Sequence, residues 1–262
     1  MPIVTTVVAA FLLAAFCTAQ DVPEASPQVI QWLDKLESKG REIVSLQAKV
    51  QYDKTDELVK SRLTRTGDLL YLASDAAAQR PTRFAVLFNR YIADGKLQNQ
   101  QLEYVFDGEW LVEKDHRLKR FEKRQIVAPG QASKVDPLSI DGPFPLPLGQ
   151  KREEVLRRFD VSIVENDAAE APNHAVHLRL VPRPDGQSLR ERKKFDTVDI
   201  WFDRQTLLPV KVRTEEGAVA TTVTLSQVKA NDAPQADLAR SIDTAPPAPG
   251  QGWRIEIKPW ED

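Results

Sequence analysis

Apolar side chains at helical spacing predict a helix near the start of the chain. Ser26 and Pro27 are the residue types preferred at a helix N-cap and at the first helical position. The residues that follow place four apolar side chains on one helical face: Val29, Trp32, Leu33 and Leu36. Because glycine commonly ends helices, we expect this helix to end at Gly40.

From residue 45 onwards the apolar period is two, which predicts strands. Leu46, Ala48 and Val50 alternate with polar residues, as in a strand with one buried face. The same pattern predicts further strands at 64–72, 83–92, 102–106, 110–112, 118–127, 160–165, 175–181, 194–202, 207–214, 220–229 and 253–257. Two segments, 69–72 and 84–88, are apolar at every position. We therefore expect both faces of the sheet to be covered there, one of them by the N-terminal helix.

A proline-rich segment interrupts the strands in the middle of the chain. Residues 129–149 contain five prolines and three glycines, which exclude a regular helix or a central strand over most of this length. Its apolar side chains, among them Phe144, Leu146 and Leu148, need a dry surface. We therefore predict that the segment is a lid over the sheet. A short helix is predicted immediately after it, at 149–158.

The N-terminal residues predict export. Residues 3–16 form an almost uncharged apolar run, and the small residues up to Ala19 predict a signal peptide cleaved after that position. A retained anchor is one alternative, because no Lys or Arg precedes the run. A lipidated Cys17 is another, although the bulky Phe16 before it is unfavourable. Cleavage removes the chain's one cysteine. We expect a periplasmic, monomeric protein with one domain over residues 26–259 and no disulfide.

Net charge identifies no partner, but the charge is unevenly distributed. The 36 basic and 38 acidic residues nearly cancel, which favours neither nucleic acid nor an acidic partner. Two runs are basic: residues 117–124, and a cluster made of Arg190, Arg192, Lys193 and Lys194. Solvated hairpin ends are the simpler interpretation of both runs. The alternative is a docking patch for an envelope protein.

No catalytic, metal-binding or cofactor-binding motif is found in the sequence. It has no glycine-rich phosphate loop, serine nucleophile elbow or metal-ligand cluster. His174 and His177 are three residues apart, so a strand directs them to opposite faces and they do not converge on one metal. Asp199 lies between Val198 and Ile200, and we expect it to point outwards as an exposed carboxylate. The sequence therefore predicts a binding protein rather than an enzyme.

Apolar strand residues could enclose a ligand such as an acyl chain. The candidate lining residues are Leu70, Leu72, Phe84, Val86, Phe88, Leu178 and Leu180. The alternative is that these side chains fill one another's space as an ordinary core, since apolar strands always pack on something.

Several short motifs occur in an order that resembles the LolA-like family of outer-membrane lipoprotein carriers. Thr66-Gly67-Asp68-Leu69-Leu70-Tyr71 comes first, followed by Arg80-Pro81. Asp107-Gly108 precedes an aromatic strand that begins at Trp110. Leu178 to Arg183 resembles the family's strand that ends near a proline, and Leu208-Pro209 its next hairpin.

This resemblance implies both a fold and a function. The fold is mainly β with a few helices (α+β), an incomplete, strongly curved antiparallel barrel whose apolar concavity is closed by helices and a lid. The function is a periplasmic carrier that holds a lipid or a lipoprotein acyl chain and passes it to an envelope acceptor. By the motif match Arg80 is the candidate latch of the lid, and a solvated Arg80 ahead of a strand is the alternative. A LolA-fold sensor that docks a protein partner on residues 190–194 is the alternative function.

Overall fold

The computed structural model describes residues 25–75, 77–129, 148–165, 174–183 and 195–260. The predicted signal peptide, the lid residues Phe144 and Leu146, and the basic cluster at 190–194 lie outside the described residues. In the part of the chain that is described, no helix has the length and apolar character needed to cross a membrane.

Each predicted helix and strand is present in the described residues, with ends shifted by a few positions. The helices are α1 (Pro27–Glu42), α2 (Arg152–Arg158) and α3 (Ala236–Arg240). The strands are β1 (Ser45–Asp56), β2 (Ser61–Leu72), β3 (Arg83–Ala93), β4 (Lys96–Gln98), β5 (Leu102–Phe106), β6 (Trp110–Asp115), β7 (Arg120–Gln125), β8 (Phe159–Val164), β9 (Ala175–Pro182), β10 (Thr197–Asp203), β11 (Pro209–Glu216), β12 (Val219–Ala230) and β13 (Arg254–Lys258). The sequence did not predict β4 and α3, and α1 continues two residues beyond Gly40.

All the strands belong to one sheet. Its order is β13–β7–β6–β5–β3–β2–β1–β12–β11–β10–β9–β8, and β4 pairs with β3. Neighbouring strands are antiparallel except β13, which lies parallel to β7. In the described residues the sheet is open and curled, and does not close into a barrel. The predicted fold class, a mainly β incomplete barrel with a few helices, is confirmed.

One face of the sheet, here called the inner face, carries most of the apolar core. The register aligns Leu178, Ile200, Val212 and Val223 across β9, β10, β11 and β12, and the row continues to Tyr52 on β1. Apolar residues of α1 belong to the same core, so α1 covers the inner face as predicted.

The opposite, outer face has a smaller core of its own. It consists of Ala85, Val105, Val112 and Phe121, with Leu87, Ile242 and Trp253 packed against it. The segment after β12 therefore covers the outer face, and α3 of this segment contacts β2. Both faces are thus covered where the sequence predicted it.

Gly67 allows the sheet to bend next to the middle of β2. The β2–β3 register shifts between Thr66 and Gly67, as expected for a bulge, and bulges increase local twist. A methyl group added at Gly67 would overlap the carbonyl of Leu87 on β3. The close approach of the two backbones therefore requires glycine at this position.

We expect Gly67→Ala to lower the free energy of unfolding by about 1–3 kcal/mol, because β3 must move to make room for the new methyl group. Urea denaturation measures this change. Gly95→Asn is the control, since Gly95 has open space around it and asparagine tolerates its positive φ. Equal stability of Gly67→Ala and the native chain would contradict the close approach.

Candidate ligand-binding site

Two helices and the short segment that leads into the second one form a cover over one end of the inner face. Val29 and Leu33 of α1 are buried in the inner core, and so is Val155 of α2. Leu148, just before α2, packs partly buried against the same core. We call α1, α2 and residues 148–151 the cover.

A small apolar cavity lies under the cover. Its volume is about 40 Å³. The cover contributes Leu33, Leu36 and Leu148 to its walls, and the sheet contributes Leu178, Leu180, Ile200 and Phe202. Binding sites for drug-sized ligands usually measure about 300–1,000 Å³, so a lipid chain fits here only if the cover moves.

Two glycines allow the cover's two parts to touch. A methyl group added at Gly40, in the last turn of α1, would overlap the Cα atom of Gly149. Gly149 has φ of +68°, a left-handed conformation that favours glycine. Gly40 is therefore a packing residue inside α1, and the helix ends after it, with Ile43 as its C-cap.

Polar contacts also join α1 to α2. Arg152 donates a hydrogen bond from its guanidinium to Asp34 at 2.7 Å and another from its backbone N–H to Glu37 at 2.9 Å. The second bond satisfies a free N–H at the start of α2, where a negative charge is favourable. This bond, more than the nearby Arg41, lowers the pKa of Glu37. Because the Asp34 side chain is half exposed and the Arg152 side chain one-third exposed, the ion pair between them contributes at most about 1 kcal/mol.

The structure brings three of the predicted ligand or lid residues to the cavity. Leu178 and Leu180 line its sheet side, and Leu148 lines its cover side. Phe84, Val86 and Phe88 lie on the same inner face, where they are fully buried in the core. These three residues are core positions in the described conformation.

Leu70 and Leu72 lie on the other face of the sheet. Leu70 is registered with Gln47 and Ala85, and Ala85 belongs to the outer core. Gln47 bonds to the segment after β12, accepting from Gln235 and donating to the Ala233 carbonyl. The prediction that Leu70 and Leu72 line the same concavity as Phe84 is corrected, because adjacent strand residues point to opposite faces.

Arg80 makes its contacts within its own turn. Its backbone pairs with Asp75 in an isolated bridge, and its guanidinium donates to the Asp75 carboxylate at 2.7 Å. This hydrogen bond is the main reason why the pKa of Asp75 is lowered. The Arg80 side chain is 59% exposed. This exposure agrees with the alternative in which Arg80 is a solvated residue ahead of a strand. Arg152, by contrast, joins the two parts of the cover.

An aromatic group lies further along the inner face. Phe88 lies edge-to-face with Tyr52 and with Tyr104, at centroid distances of 6.1 and 6.4 Å. Burial raises the pKa of Tyr104 to about 12, and the nearby Glu113 adds to this effect. Of these rings only Phe88 is a predicted lining residue, because single tyrosines in strands carry no distinctive signal.

The outer face contains a buried charged group that the sequence did not indicate. Asp199 is only 3% exposed and accepts hydrogen bonds from His177 Nε2 at 2.6 Å and Arg179 Nε at 2.8 Å. The ring of Trp201 stacks on His177 at 4.2 Å. The expectation of an exposed Asp199 is therefore wrong, although it does point away from the face of Ile200, as predicted.

These contacts join β9 to β10. Burial alone would raise the pKa of Asp199, but hydrogen bonds from His177 and Arg179 outweigh it and the pKa lies below its usual value.

In the described residues no group of three or more His, Cys, Asp or Glu side chains is arranged to hold a metal ion.

Known proteins match this chain only through their folds. No protein-family model and no curated protein matches it. The lipoprotein LppX of Mycobacterium tuberculosis is 9% identical, over 80% of this chain and 99% of that chain, with a TM-score of 0.46. The MucA/MucB complex of Pseudomonas aeruginosa gives 19% identity over 80% of this chain and 59% of that chain, with a TM-score of 0.42.

A LolA superfamily protein from Nitrosomonas europaea is also similar, at 11% identity, over 78% of this chain and 94% of that chain, with a TM-score of 0.29. The alternative function, a sensor that docks a partner on residues 190–194, concerns side chains outside the described residues and stays a prediction.

We expect Gly40→Ala to destabilise the protein although alanine is the better helix former. Helix propensity favours the variant by about 1 kcal/mol, but the overlap with Gly149 separates α1 from α2 and costs more, about 1–3 kcal/mol. Urea denaturation measures the change in the free energy of unfolding and so gives its sign. Ser38→Ala, at an exposed position of the same helix, is the control and should be neutral or slightly stabilising. Stabilisation by Gly40→Ala would show that the contact is not needed.

We expect Asp199→Asn to lower the free energy of unfolding by about 1–3 kcal/mol at pH 7. Since the pKa of Asp199 is lowered in the folded state, its contribution is present above the unfolded pKa of about 3.9 and is lost as the pH falls through the folded value. Stability curves of the two proteins should therefore converge below about pH 4. Asp237→Asn, at a 95% exposed side chain, should leave the curve unchanged. A constant difference down to pH 2 would contradict this assignment.

Proposed function

We propose that the protein is an exported LolA-like carrier that holds an acyl chain between the inner face of its sheet and the cover. The acyl chain enters when α1 moves away from α2 and from the sheet, and it leaves by the same route towards an acceptor in the cell envelope. The observation that carries this proposal is the apolar cavity under the cover, whose walls come from the cover on one side and the sheet on the other.

The way the cover is attached supports its movement. Each fully buried apolar side chain of α1, Val29 and Leu33, contributes about 1.5–3 kcal/mol. The Arg152–Asp34 pair adds little because it is exposed. The cost of displacing α1 is therefore a few kcal/mol.

Burial of an acyl chain is sufficient to offset this cost. Each methylene group transferred from water contributes about 0.8 kcal/mol, so about ten methylenes contribute about 8 kcal/mol. The new cavity would be lined by side chains that are already apolar, Leu178, Leu180 and Ile200 among them. This gain is of the size needed to open the cover.

A cross-linked cover tests the proposal. In a Cys17→Ser background, Asp34→Cys and Arg152→Cys place one thiol on each part of the cover, and a short bifunctional thiol reagent joins them. We expect the protein without the reagent to bind the methyl ester of cis-parinaric acid, a fluorescent neutral acyl probe. Cross-linking should slow association at least tenfold, because α1 can no longer separate from α2.

Each single-cysteine variant, treated with the same reagent, is the matched control and should bind as the untreated protein does. Absence of probe binding by the untreated protein would refute the carrier function. Binding that is unchanged by the cross-link would show that the ligand lies elsewhere than under the cover.

A further inference from the structure

Arg65 is a charged residue in an aromatic and apolar part of the inner face. It lies in β2, directly across from Tyr52 on β1 and Tyr91 on β3. Its guanidinium carbon is 5.5 Å from the centroid of the Tyr91 ring. Tyr52 packs against the inner core, so Arg65 lies at the edge of the same apolar surface that continues to the cavity.

No carboxylate neutralises this guanidinium within the described residues. Several other arginines of the sheet have ion-pair partners: Arg62 with Asp53, Arg120 with Glu113 and Arg179 with Asp199. For Arg65 no ion pair is found in the described chain, and its Nε atom is buried without a hydrogen-bond acceptor there. A partly buried cation without a counter-ion is unfavourable, and such positions usually acquire an anionic partner.

Glu113, which lies across from Tyr104 in the pairing of β5 with β6, is held by other groups. Glu113 accepts the hydroxyl hydrogen of Tyr104 and is paired with Arg120. Tyr52 and Tyr91 lie directly across from Arg65 on the neighbouring strands, and the charge of Arg65 favours ionisation of Tyr104. A guanidinium among tyrosine side chains is a suitable set of hydrogen-bonding groups for a carboxylate or a phosphate.

The register connects Arg65 with the cavity. Ile200, which lines the cavity, is in the same row as Val212, Val223 and Tyr52, and the next position in that row is Arg65. Four strand spacings separate Ile200 from Arg65, a distance of about 19 Å along the sheet. The side chains between them are apolar or aromatic.

We propose that Arg65 binds the anionic head group of an acyl ligand, a carboxylate or a phosphate, while the chain extends along this row to the cavity under the cover. This inference rests on the proposed carrier function and specifies its substrate class as acidic lipids. Arginine suits the role because its planar guanidinium can donate two parallel hydrogen bonds to either group.

Two probes with the same chain test the role of the charge. cis-Parinaric acid and its methyl ester differ only in the head group, and their fluorescence reports binding. We expect the native protein to bind the acid at least tenfold more tightly than the ester. Arg65→Met should remove this preference while leaving the affinity for the ester within about twofold, and Arg65→Lys should keep part of the preference.

Arg62→Met is the matched control, since Arg62 is an exposed arginine of the same strand that already pairs with Asp53. It should leave both affinities unchanged. Competition of the bound probe by dodecanoic acid and by dodecyl phosphate distinguishes the two head groups: the stronger competitor in the native protein identifies the preferred one, and Arg65→Met should lose that difference.

The outcomes separate this inference from the carrier function. Equal binding of acid and ester by the native protein, or an acid preference that persists in Arg65→Met, would overturn the inference and leave the carrier function intact. Binding of neither probe by the native protein would refute the carrier function itself. If Arg65→Met fails to fold, Arg65→Gln replaces it with the same expected result.

Discussion

The whole architecture depends on covering an open sheet whose central strands are apolar on both faces. In β3, Phe84 and Val86 point to the inner face while Ala85 points to the outer core, and all three are fully buried. An open sheet cannot hide two such faces by itself, because its strands form a single layer. The chain therefore supplies one layer of helix before the sheet and a second layer after it.

The two layers are attached in different ways, and this difference determines which layer can move at the lower cost. The outer layer is joined to the sheet by backbone pairing of β13 with β7 and by side-chain bonds such as those of Gln47. The inner layer is joined by a few apolar side chains, the Gly40–Gly149 contact and the exposed Arg152 pair. Opening the inner layer breaks no strand pairing, so it is the less costly movement and lies over the more apolar face.

Polar groups on the two faces have opposite consequences for function. On the outer face, Asp199 is neutralised by His177 and Arg179, so this group stabilises strand pairing. On the inner face, Arg65 lies in the row that begins at the cavity, beside tyrosine rings. One charged group is complete within the sheet, whereas the other is suited to an external anion. Under the proposed function, this contrast makes the inner face the one that selects the ligand.

The sequence by itself determined the spacing of apolar residues in each segment. This spacing predicted nearly all the strands, both larger helices and the need to cover both faces of the sheet. It also determined that Asp199 and Ile200 face opposite ways, because alternation is a local property of a strand. Only the tertiary structure decided that Leu70 faces outwards, that Asp199 is buried, that Gly40 contacts Gly149, and that Arg65 shares a row with Ile200. These facts depend on the register and packing of residues far apart in the chain, which a local pattern of apolar and polar positions does not encode.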